Sequence, residues 1–469
     1  MTEGVTLERR LANFRASLAR DPAPRDGRLE PARRPTGDLA ERMAAGLGGE
    51  VIRATRGAYV RVESPALAVP VDRGRLASLP GQPPAGTPLV CLDTETTGLG
   101  TATGTYAFLV GLGWWTGEWF RTVQLLLPDQ SDEAALLDAI EAQIPADAWL
   151  VSYNGRGFDW PLLVTRYRMD RRAAPAHAGH LDLLPLVRRL FRHRMADARL
   201  RTVEQTLLQV ARHEDVEGWE IPGRYLDFLR TGLPEPLVAV ARHNAEDVLS
   251  LARLVAHIER CLGDARARGT ADAGDLAGLA RLFLRERRFD AALGCLEAAL
   301  AARPVAPPAA AAVREARAPY GRGATEGPVG VDDWWSPRRM ADFGGQPDRS
   351  SWSAPPRLAS PWSEERLLVE RAHVLRRLGR IEDAAVTWAN LAVGTTRLSA
   401  VAAVELAKLR EHRLGDLSGA LDAVRRGWTV VERRRRIGRP EAGIEADLLR
   451  RGRRLRSRLA AAAGSAVSA

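Results

Sequence analysis

Residues 89–96 read LVCLDTET, four apolar residues that lead directly into Asp93, Thr94 and Glu95. A short apolar run of this kind is typical of a buried strand. Successive side chains of a strand point to opposite faces, so Asp93 and Glu95 share one face at the carboxyl end of the strand. Two carboxylates so close repel each other unless a cation lies between them. The stretch therefore indicates a sheet with an acidic site, although this tripeptide alone also fits a plain polar strand end.

The segments around this strand follow an α/β order. Residues 105–115 and 119–127 are predicted strands joined by a turn at 116–117, and residues 148–153 form another buried strand. Helical patterns, the first with Ser131 as its N-cap, cover 131–144, 161–169, 183–193, 200–210 and 235–261. Strands in sequence, then a helix, a strand and further helices predict one mixed sheet with flanking helices.

The chain of 469 residues is long enough for two or three domains. We expect a helix and strand leader at 1–85, an α/β domain at 86–262, a helical hairpin at 263–301, a largely disordered Pro/Ala/Gly-rich linker at 302–362, and an all-helical region with a basic tail at 363–469. Residues 279–301 and 370–392 share a helix–turn–helix scheme that resembles tetratricopeptide-type hairpins, and 405–424 is a weaker copy. The linker tryptophans could instead dock on the folded parts; they are Trp334, Trp335, Trp352 and Trp362.

Composition narrows the class of protein. The formal net charge is +10, and Lys408 is the only lysine among 68 basic residues, a bias that GC-rich codons explain as well as phosphate binding does. Three cysteines without CxxC spacing argue against a disulfide framework and a structural zinc site. No apolar run approaches the roughly 18 residues of a membrane span, and no secretory signal is evident. We therefore expect a cytoplasmic protein that does not contact a membrane.

Two further elements carry acidic residues. In SYNGRGFDWPLL (152–163) a strand ends, the chain turns, and Asp159 stands where a helix begins. In HNAED (243–247) His243 and Asp247 are four residues apart on a predicted helix and share a face. Each element has an ordinary structural alternative, since Asp159 could be a helix N-cap and His243 with Asp247 a surface pair.

Together the three elements carry a resemblance that none carries alone. DxE on a strand, NGxxFD at a strand-to-helix junction and HxxxD on a later helix reproduce, in order, the motifs of the four-carboxylate (DEDD) exonucleases. Residues of about 88–260 closely resemble the YprB-type ribonuclease H-like domain proteins of bacteria, a family in which helical-repeat C-termini also occur. The stretches that carry the resemblance are LDTETTGLGTATGTYAFLVGLG, LVSYNGRGFDWPLLVTR, HLDLLPLVRRLFR, TVEQTLL, EIPGRYLDFL and HNAEDVLSLARL.

The resemblance implies a ribonuclease H-like fold and a 3′–5′ exonuclease that acts on RNA or DNA, with a single-stranded 3′ end as substrate. It implies two divalent ions about 3.5–4 Å apart that activate water and stabilise the leaving oxygen. Asp93 would contact both ions, Glu95 and Asp247 one of them, and Asp159 the other. Oxygen ligands favour Mg²⁺ or Mn²⁺.

The resemblance also implies that His243 is the general base, because imidazole titrates near neutral pH. One subtype of the family has Tyr four residues before the last Asp, and another has His five before it. Here His stands four before, and Arg242 occupies the fifth position, so the assignment of the base stays open. Thr96, Asn154 and Phe158 would contact the substrate, Phe158 by stacking on a base, with a core role for Phe158 as the alternative.

Two other classes of function remain open from the sequence. The fold could hold nucleic acid without turnover, or the protein could be a scaffold that binds a protein partner through its helical hairpins. The basic runs at 433–436 and 450–458 could contact phosphates, but such runs are usually solvated helix faces. We therefore expect a metal-dependent nuclease, with binding or scaffolding as the alternatives.

Overall fold

The computed structural model describes residues 38–79, 81, 83–98, 103–212, 216–263, 272–302 and 363–467. Residues 1–37 of the leader expected at 1–85 and nearly all of the linker at 302–362, including its four tryptophans, lie outside the described residues. Two compact units divide the chain. The described part of the first comprises 38–302 with its gaps and 363–388, and that of the second comprises 389–467.

A seven-stranded mixed sheet forms the centre of the first unit. Its strands are β1 (Glu50–Ala54), β2 (Gly57–Ala68), β3 (Leu89–Thr96), β4 (Ala107–Thr116), β5 (Trp119–Leu126), β6 (Trp149–Ser152) and β7 (Gly179–Asp182). The order across the sheet is β1-β2-β5-β4-β3-β6-β7. Neighbouring strands are antiparallel except that β6 runs parallel to both β3 and β7. The mixed sheet expected from the sequence is confirmed, although the short strand β7 was not predicted.

Helices flank this sheet and extend beyond it. In chain order they are α1 (Leu39–Leu47), α2 (Arg73–Leu76), α3 (Glu133–Gln143), α4 (Asp159–Met169), α5 (Leu183–Leu190), α6 (Leu200–Val203), α7 (Ile221–Thr231), α8 (Glu235–Cys261), α9 (Ala273–Arg285), α10 (Phe289–Ala301), α11 (Glu364–Arg377) and α12 (Ile381–Leu391). The long helix α8 packs across β3, β4 and β5, and its apolar face is buried at Val240, Val248, Leu251 and Leu254. This packing holds the predicted HNAED segment against the strand that carries DTE.

The start of α3 differs from the prediction. Asp129, not Ser131, caps the turn that precedes the helix, since its carboxylate accepts a hydrogen bond from the backbone N–H of Ser131 at 2.9 Å. The α-helix itself begins at Glu133, and Asp132 accepts the backbone N–H of Ala58 from the sheet. A carboxylate is a stronger acceptor than a hydroxyl, so Asp129 takes the capping role that the sequence predicted for Ser131.

Two glycines let α8 approach the sheet closely. Gly111 of β4 pairs with Asp93 of β3 on one side and with Gln124 of β5 on the other. A Cβ at Gly111 would lie only 2.2 Å from Oδ1 of Asn244 on α8, and a Cβ at Gly113 would lie 2.3 Å from the Phe120 ring. Glycine inside a strand often marks such a close approach. The helix therefore lies directly above the row that contains Asp93.

The described C-terminal parts are helical, as expected. In the first unit α9 and α10 pack on each other, α9 also contacts α5, and α11 contacts α10. The second unit contains α13 (Arg397–His412), α14 (Leu417–Arg436) and α15 (Ala442–Val467), which pack together. Their similarity to tetratricopeptide hairpins stays a prediction. No helix of the described residues is both long and apolar enough to cross a membrane.

Candidate metal centre

Asp93 lies at the middle of the candidate site, on β3 beneath α8. Its Oδ2 accepts a hydrogen bond of 2.9 Å from Nδ2 of Asn244, a fully buried residue of α8. Oδ1 of the same amide accepts a hydrogen bond of 2.9 Å from Gln124 of β5. The two contacts fix the amide with its N–H toward Asp93, so Asn244 is a residue of the candidate site that the motifs in the sequence did not indicate.

The other three predicted acids all affect the pKa of Asp93. Burial raises the pKa of Asp93 well above its usual value, and the charges of Asp247, Asp159 and Glu95 raise that pKa further. The hydrogen bond from Asn244 opposes the rise but does not cancel it. Acids that arrive on β3, α4 and α8 therefore share one electrostatic neighbourhood, in which a bound cation would relieve their repulsion.

Asp159 is the first residue of α4 and is 6% exposed. Phe158 occupies the N-cap position, so the alternative in which Asp159 is an N-cap is wrong. The Asp159 carboxylate instead accepts a short hydrogen bond from the hydroxyl of Thr94, which points away from Asp93 and Glu95 on β3. Burial raises the pKa of Asp159 to about 6, although the bond from Thr94 lowers it.

His243 and Asp247 stand one turn apart on α8, as predicted. Nε2 of His243 lies 3.8 Å from Oδ2 of Asp247 and 3.9 Å from Oε1 of Glu95, so the HxxxD and DxE motifs meet. Nδ1 of the ring accepts an N–H of Arg212 at 3.3 Å. A ring nitrogen that accepts a hydrogen bond carries no proton, so a neutral His243 holds its proton on Nε2, the nitrogen that faces the acids.

Arg212 and Glu204 belong to the site although the sequence analysis did not select them. The Arg212 side chain is 4% exposed and donates short hydrogen bonds to both Asp247 and Glu204. Glu204 starts a π-helical turn, Glu204–Leu208, and its side chain is 1% exposed. Burial raises the pKa of Asp247, while the positive charge of Arg212 opposes the rise. The signal in the sequence was a charged residue within the otherwise apolar face of TVEQTLL.

The four predicted ligands are neighbours but are not drawn into one tight group. In the part of the chain that the structure describes, one set of three His, Cys, Asp or Glu side chains has ligand atoms within 4.8 Å of one another, and it is His193, Asp272 and Asp275. That set joins α9 to the turn after α5 through ion pairs, with Arg194 on Asp275 at 2.8 Å. At the predicted site, by contrast, hydrogen bonds from Thr94, Asn244 and Arg212 hold three acids separately.

The residues predicted to contact substrate differ in accessibility. The Thr96 hydroxyl is buried and donates a hydrogen bond of 2.6 Å to the carbonyl of Gly98. Asn154 is exposed in a left-handed conformation with φ of 69°, and its backbone N–H donates to Asp182. Phe158 is half-buried immediately before Asp159. Asn154 and Phe158 are therefore at least partly accessible to solvent, whereas the buried hydroxyl of Thr96 already has a partner.

Part of the basic run 450–458 serves the fold of the second unit. The buried carboxylate of Glu411 on α13 accepts hydrogen bonds from three arginines of α15, Arg451, Arg454 and Arg458. Burial alone would raise the pKa of Glu411, but the bonds from Arg454 and Arg451 outweigh it and lower the pKa to about 2. These guanidinium groups are therefore engaged within the unit.

A cleft of about 480 Å³ lies in the first unit between the end of β2, the 207–210 segment and the second half of α8. Its lining is mostly apolar and includes Arg253 and Arg260. None of the four predicted ligands lines it.

Comparison with known proteins places the acidic site within a matched region. The family model described as the RNase_H superfamily matches residues 90–259. The chain is 35% identical over 212 residues to the uncharacterized protein YprB of Bacillus subtilis (strain 168), an alignment that covers 45% of this chain and 51% of that relative. The chain therefore spans about half the length of this curated relative. The range 90–259 contains all four predicted ligands, His243, and the additional pair Glu204 and Arg212.

Proposed function

We propose, from the premise that residues 90–259 form a ribonuclease H-like domain, that this protein is a metal-dependent nuclease, specifically a 3′–5′ exonuclease. The superfamily supports a nuclease-like phosphodiester hydrolase. The observation that carries the proposal is the convergence of acids on Asp93, whose pKa is raised by Asp247, Asp159 and Glu95. Carboxylates from three elements, β3, α4 and α8, have no structural need to lie within range of one another's charge, and a shared cation would give them one.

The donor set fits divalent metal. Asp93, Glu95, Asp159 and Asp247 offer oxygen atoms alone, which favours Mg²⁺ or Mn²⁺ over zinc. Following the family resemblance, these residues would hold two ions, with Asp93 shared between them. When bound, such ions supply a nucleophile at neutral pH and stabilise charge on the leaving oxygen. Asn244 fixes Asp93 in place for this role, and Thr94 does the same for Asp159.

His243 is our candidate for the general base. Its Nε2 faces Glu95 and Asp247 and thus lies beside the proposed metal ligands. To accept a proton at Nε2, the neutral ring must carry its own proton on Nδ1. Nδ1 now accepts an N–H from Arg212, so the base role requires that this contact be released.

The substrate we propose is the single-stranded 3′ end of RNA or DNA. Phe158, which directly precedes Asp159, and the exposed Asn154 could contact the terminal nucleotide, Phe158 through stacking on its base. Thr96 could contact the substrate through its backbone. The 3′–5′ polarity rests on the resemblance to DEDD exonucleases, and cytoplasmic action and a protein partner for the helical region remain predictions.

The test uses end-labelled single-stranded RNA and DNA with the full chain, in Mn²⁺ or in EDTA. We expect release of mononucleotides in Mn²⁺ and none in EDTA. A 3′ label should leave the polymer in the first turnover, whereas a 5′ label should remain on progressively shorter products. Loss of the 5′ label first, or internal cuts, would contradict the proposed polarity while leaving a nuclease.

A nucleic-acid-binding protein without turnover is the second candidate. It is favoured by one observation, the pairing of Asp247 with Arg212, which occupies a predicted ligand with a cation from the chain itself. This alternative predicts binding of labelled RNA or DNA, in Mn²⁺ or EDTA, without hydrolysis at any metal concentration.

A further inference from the structure

Arg212 places a guanidinium among the acids of the candidate metal centre. Its buried side chain bridges Asp247 and Glu204, and it also donates to Nδ1 of His243 at 3.3 Å. The side chain of Glu246 stands 3.6 Å away at the rim. One cation of the chain therefore contacts a predicted metal ligand, the predicted base and an acid that lies outside the family's motif set.

Glu204 is the buried end of this arrangement. Its Oε1 accepts a hydrogen bond from the guanidinium of Arg212, whereas its Oε2 is buried and has no hydrogen-bond partner. A buried carboxylate oxygen without a donor is costly, so Oε2 is a ready acceptor for a second N–H. The π-helical turn at Glu204–Leu208 ends at Gln209, which has a φ of 56°. Such turns are often retained where they position a functional side chain.

A divalent ion on Asp247 would stand beside the guanidinium, and like charges at that distance repel. Arg212 then gains by leaving Asp247, and the buried Oε2 of Glu204, which has no hydrogen-bond partner, offers its N–H an acceptor on a carboxylate that it already contacts. Pairing with both oxygens of one carboxylate is the fork geometry that arginine prefers. In the first state Arg212 bridges Glu204 and Asp247 and contacts Nδ1 of His243; in the second it binds both carboxylate oxygens of Glu204.

We propose that Arg212 and Glu204 are a positioning pair for the metal centre. Arg212 neutralises Asp247 while no metal is bound, and Glu204 takes over the guanidinium when Asp247 binds metal. The same movement releases Nδ1 of His243, so the ring proton can move there and Nε2 becomes free to act as a base. This inference rests on the proposed function, since it takes Asp247 to be a metal ligand.

The test is calorimetric titration of the full chain with Mn²⁺ and no nucleic acid, so it does not depend on activity. Arg212→Gln removes the competing cation and should bind Mn²⁺ about tenfold more tightly than the wild type. Glu204→Gln removes the alternative carboxylate, leaves Arg212 on Asp247, and should bind about tenfold more weakly. The double variant should match Arg212→Gln, because Glu204 acts only through Arg212.

The opposite signs separate positioning from a merely structural role, which would weaken Mn²⁺ binding in both single variants. Weakened or unchanged binding in Arg212→Gln, or unchanged or tighter binding in Glu204→Gln, overturns the proposal. Circular dichroism reports whether each variant is folded. If Arg212→Gln does not fold, Arg212→Lys is compared with Glu204→Gln instead. Lysine keeps the positive charge but cannot bind both oxygens of Glu204, so an Mn²⁺ affinity above that of the wild type would contradict the proposal.

These outcomes remain distinct from failure of the proposed function. Hydrolysis and Mn²⁺ binding by the wild type, with the wrong signs in the variants, reject the positioning pair alone. Mn²⁺ binding with the expected signs but no hydrolysis of RNA or DNA rejects the nuclease and retains the pair. A wild-type chain that binds no Mn²⁺ rejects both.

Discussion

Gly111→Ala should disturb the metal centre without altering any carboxylate. The added Cβ would lie 2.2 Å from Oδ1 of Asn244 and 2.7 Å from Cγ2 of Val248. Both distances are far inside van der Waals contact, so the amide must move by about 1 Å. Nδ2 of Asn244 is now 2.9 Å from Oδ2 of Asp93. A displacement of this size takes the pair beyond hydrogen-bonding range.

Two costs add in Gly111→Ala. Overpacking of a close-packed interior costs about 1–3 kcal/mol. The lost hydrogen bond to a charged group costs about 1.5–3 kcal/mol more. Gly113→Ala, on the same strand as Gly111, is the matched control. Its Cβ would lie 2.3 Å from the Phe120 ring and 2.8 Å from Val248, but it would not touch Asn244. We expect the control to show only the overpacking cost.

Urea unfolding in EDTA measures both free energies of unfolding, and Mn²⁺ titration measures the effect on the site. Gly111→Ala should lose the greater stability and should also bind Mn²⁺ more weakly, since Asp93 is no longer held by Asn244. Gly113→Ala should bind Mn²⁺ as the wild type does. Equal Mn²⁺ affinities in the two variants would refute the reasoning that Asn244 positions Asp93.

Three further predictions follow from other contacts. His243→Ala should slow hydrolysis by roughly 10²–10⁴-fold while Mn²⁺ affinity, measured by titration, is largely kept; a loss below tenfold with an unchanged pH–rate profile would point to another base. Asp93→Asn should raise the stability of the metal-free protein in urea unfolding with EDTA, since it removes an acid whose charged form is disfavoured by burial and by three neighbouring acids; a loss of stability would argue against that repulsion. The pKa of Glu411 falls from 4.5 to about 2 on folding. Its contribution to the free energy of unfolding is therefore complete above pH 4.5 and disappears as the pH falls through about 2. Glu411→Gln should therefore reduce hydrogen-exchange protection of α13 and α15 by on the order of 3 kcal/mol at pH 7, and an equal effect at pH 2.5 would contradict the assignment.

The motif residues were predictable because local geometry alone aligns them. Strand alternation puts Asp93 and Glu95 on one face, and one helical turn does the same for His243 and Asp247. The close approach of α8 was also readable, since the GLG of β4 leaves no side chains on the face that α8 covers. These features depend on fixed periods of the backbone, which the sequence displays directly.

The contact between Arg212 and Glu204 was not predictable in the same way. They lie eight positions apart in the sequence, and the chain between includes a π-helical turn and the left-handed Gln209, so neither a helical nor a strand period relates the two side chains. Asn244 was not predicted for another reason. Its partners, Asp93 and Gln124, come from two strands whose register the sequence does not reveal. The residues of the site that the motifs did not indicate are therefore those placed by hydrogen bonds that depend on tertiary packing.

The most direct test of the account compares the carboxylate at its centre with an ordinary one. Asp93→Asn and Asp147→Asn make the same chemical change, but Asp147 is exposed and contributes to no contact of the site. Both full-length variants are assayed with 3′-labelled single-stranded RNA and DNA in Mn²⁺. The account predicts wild-type turnover in Asp147→Asn and none above the EDTA background in Asp93→Asn. Wild-type turnover in Asp93→Asn, in a preparation free of contaminating nuclease, would contradict it.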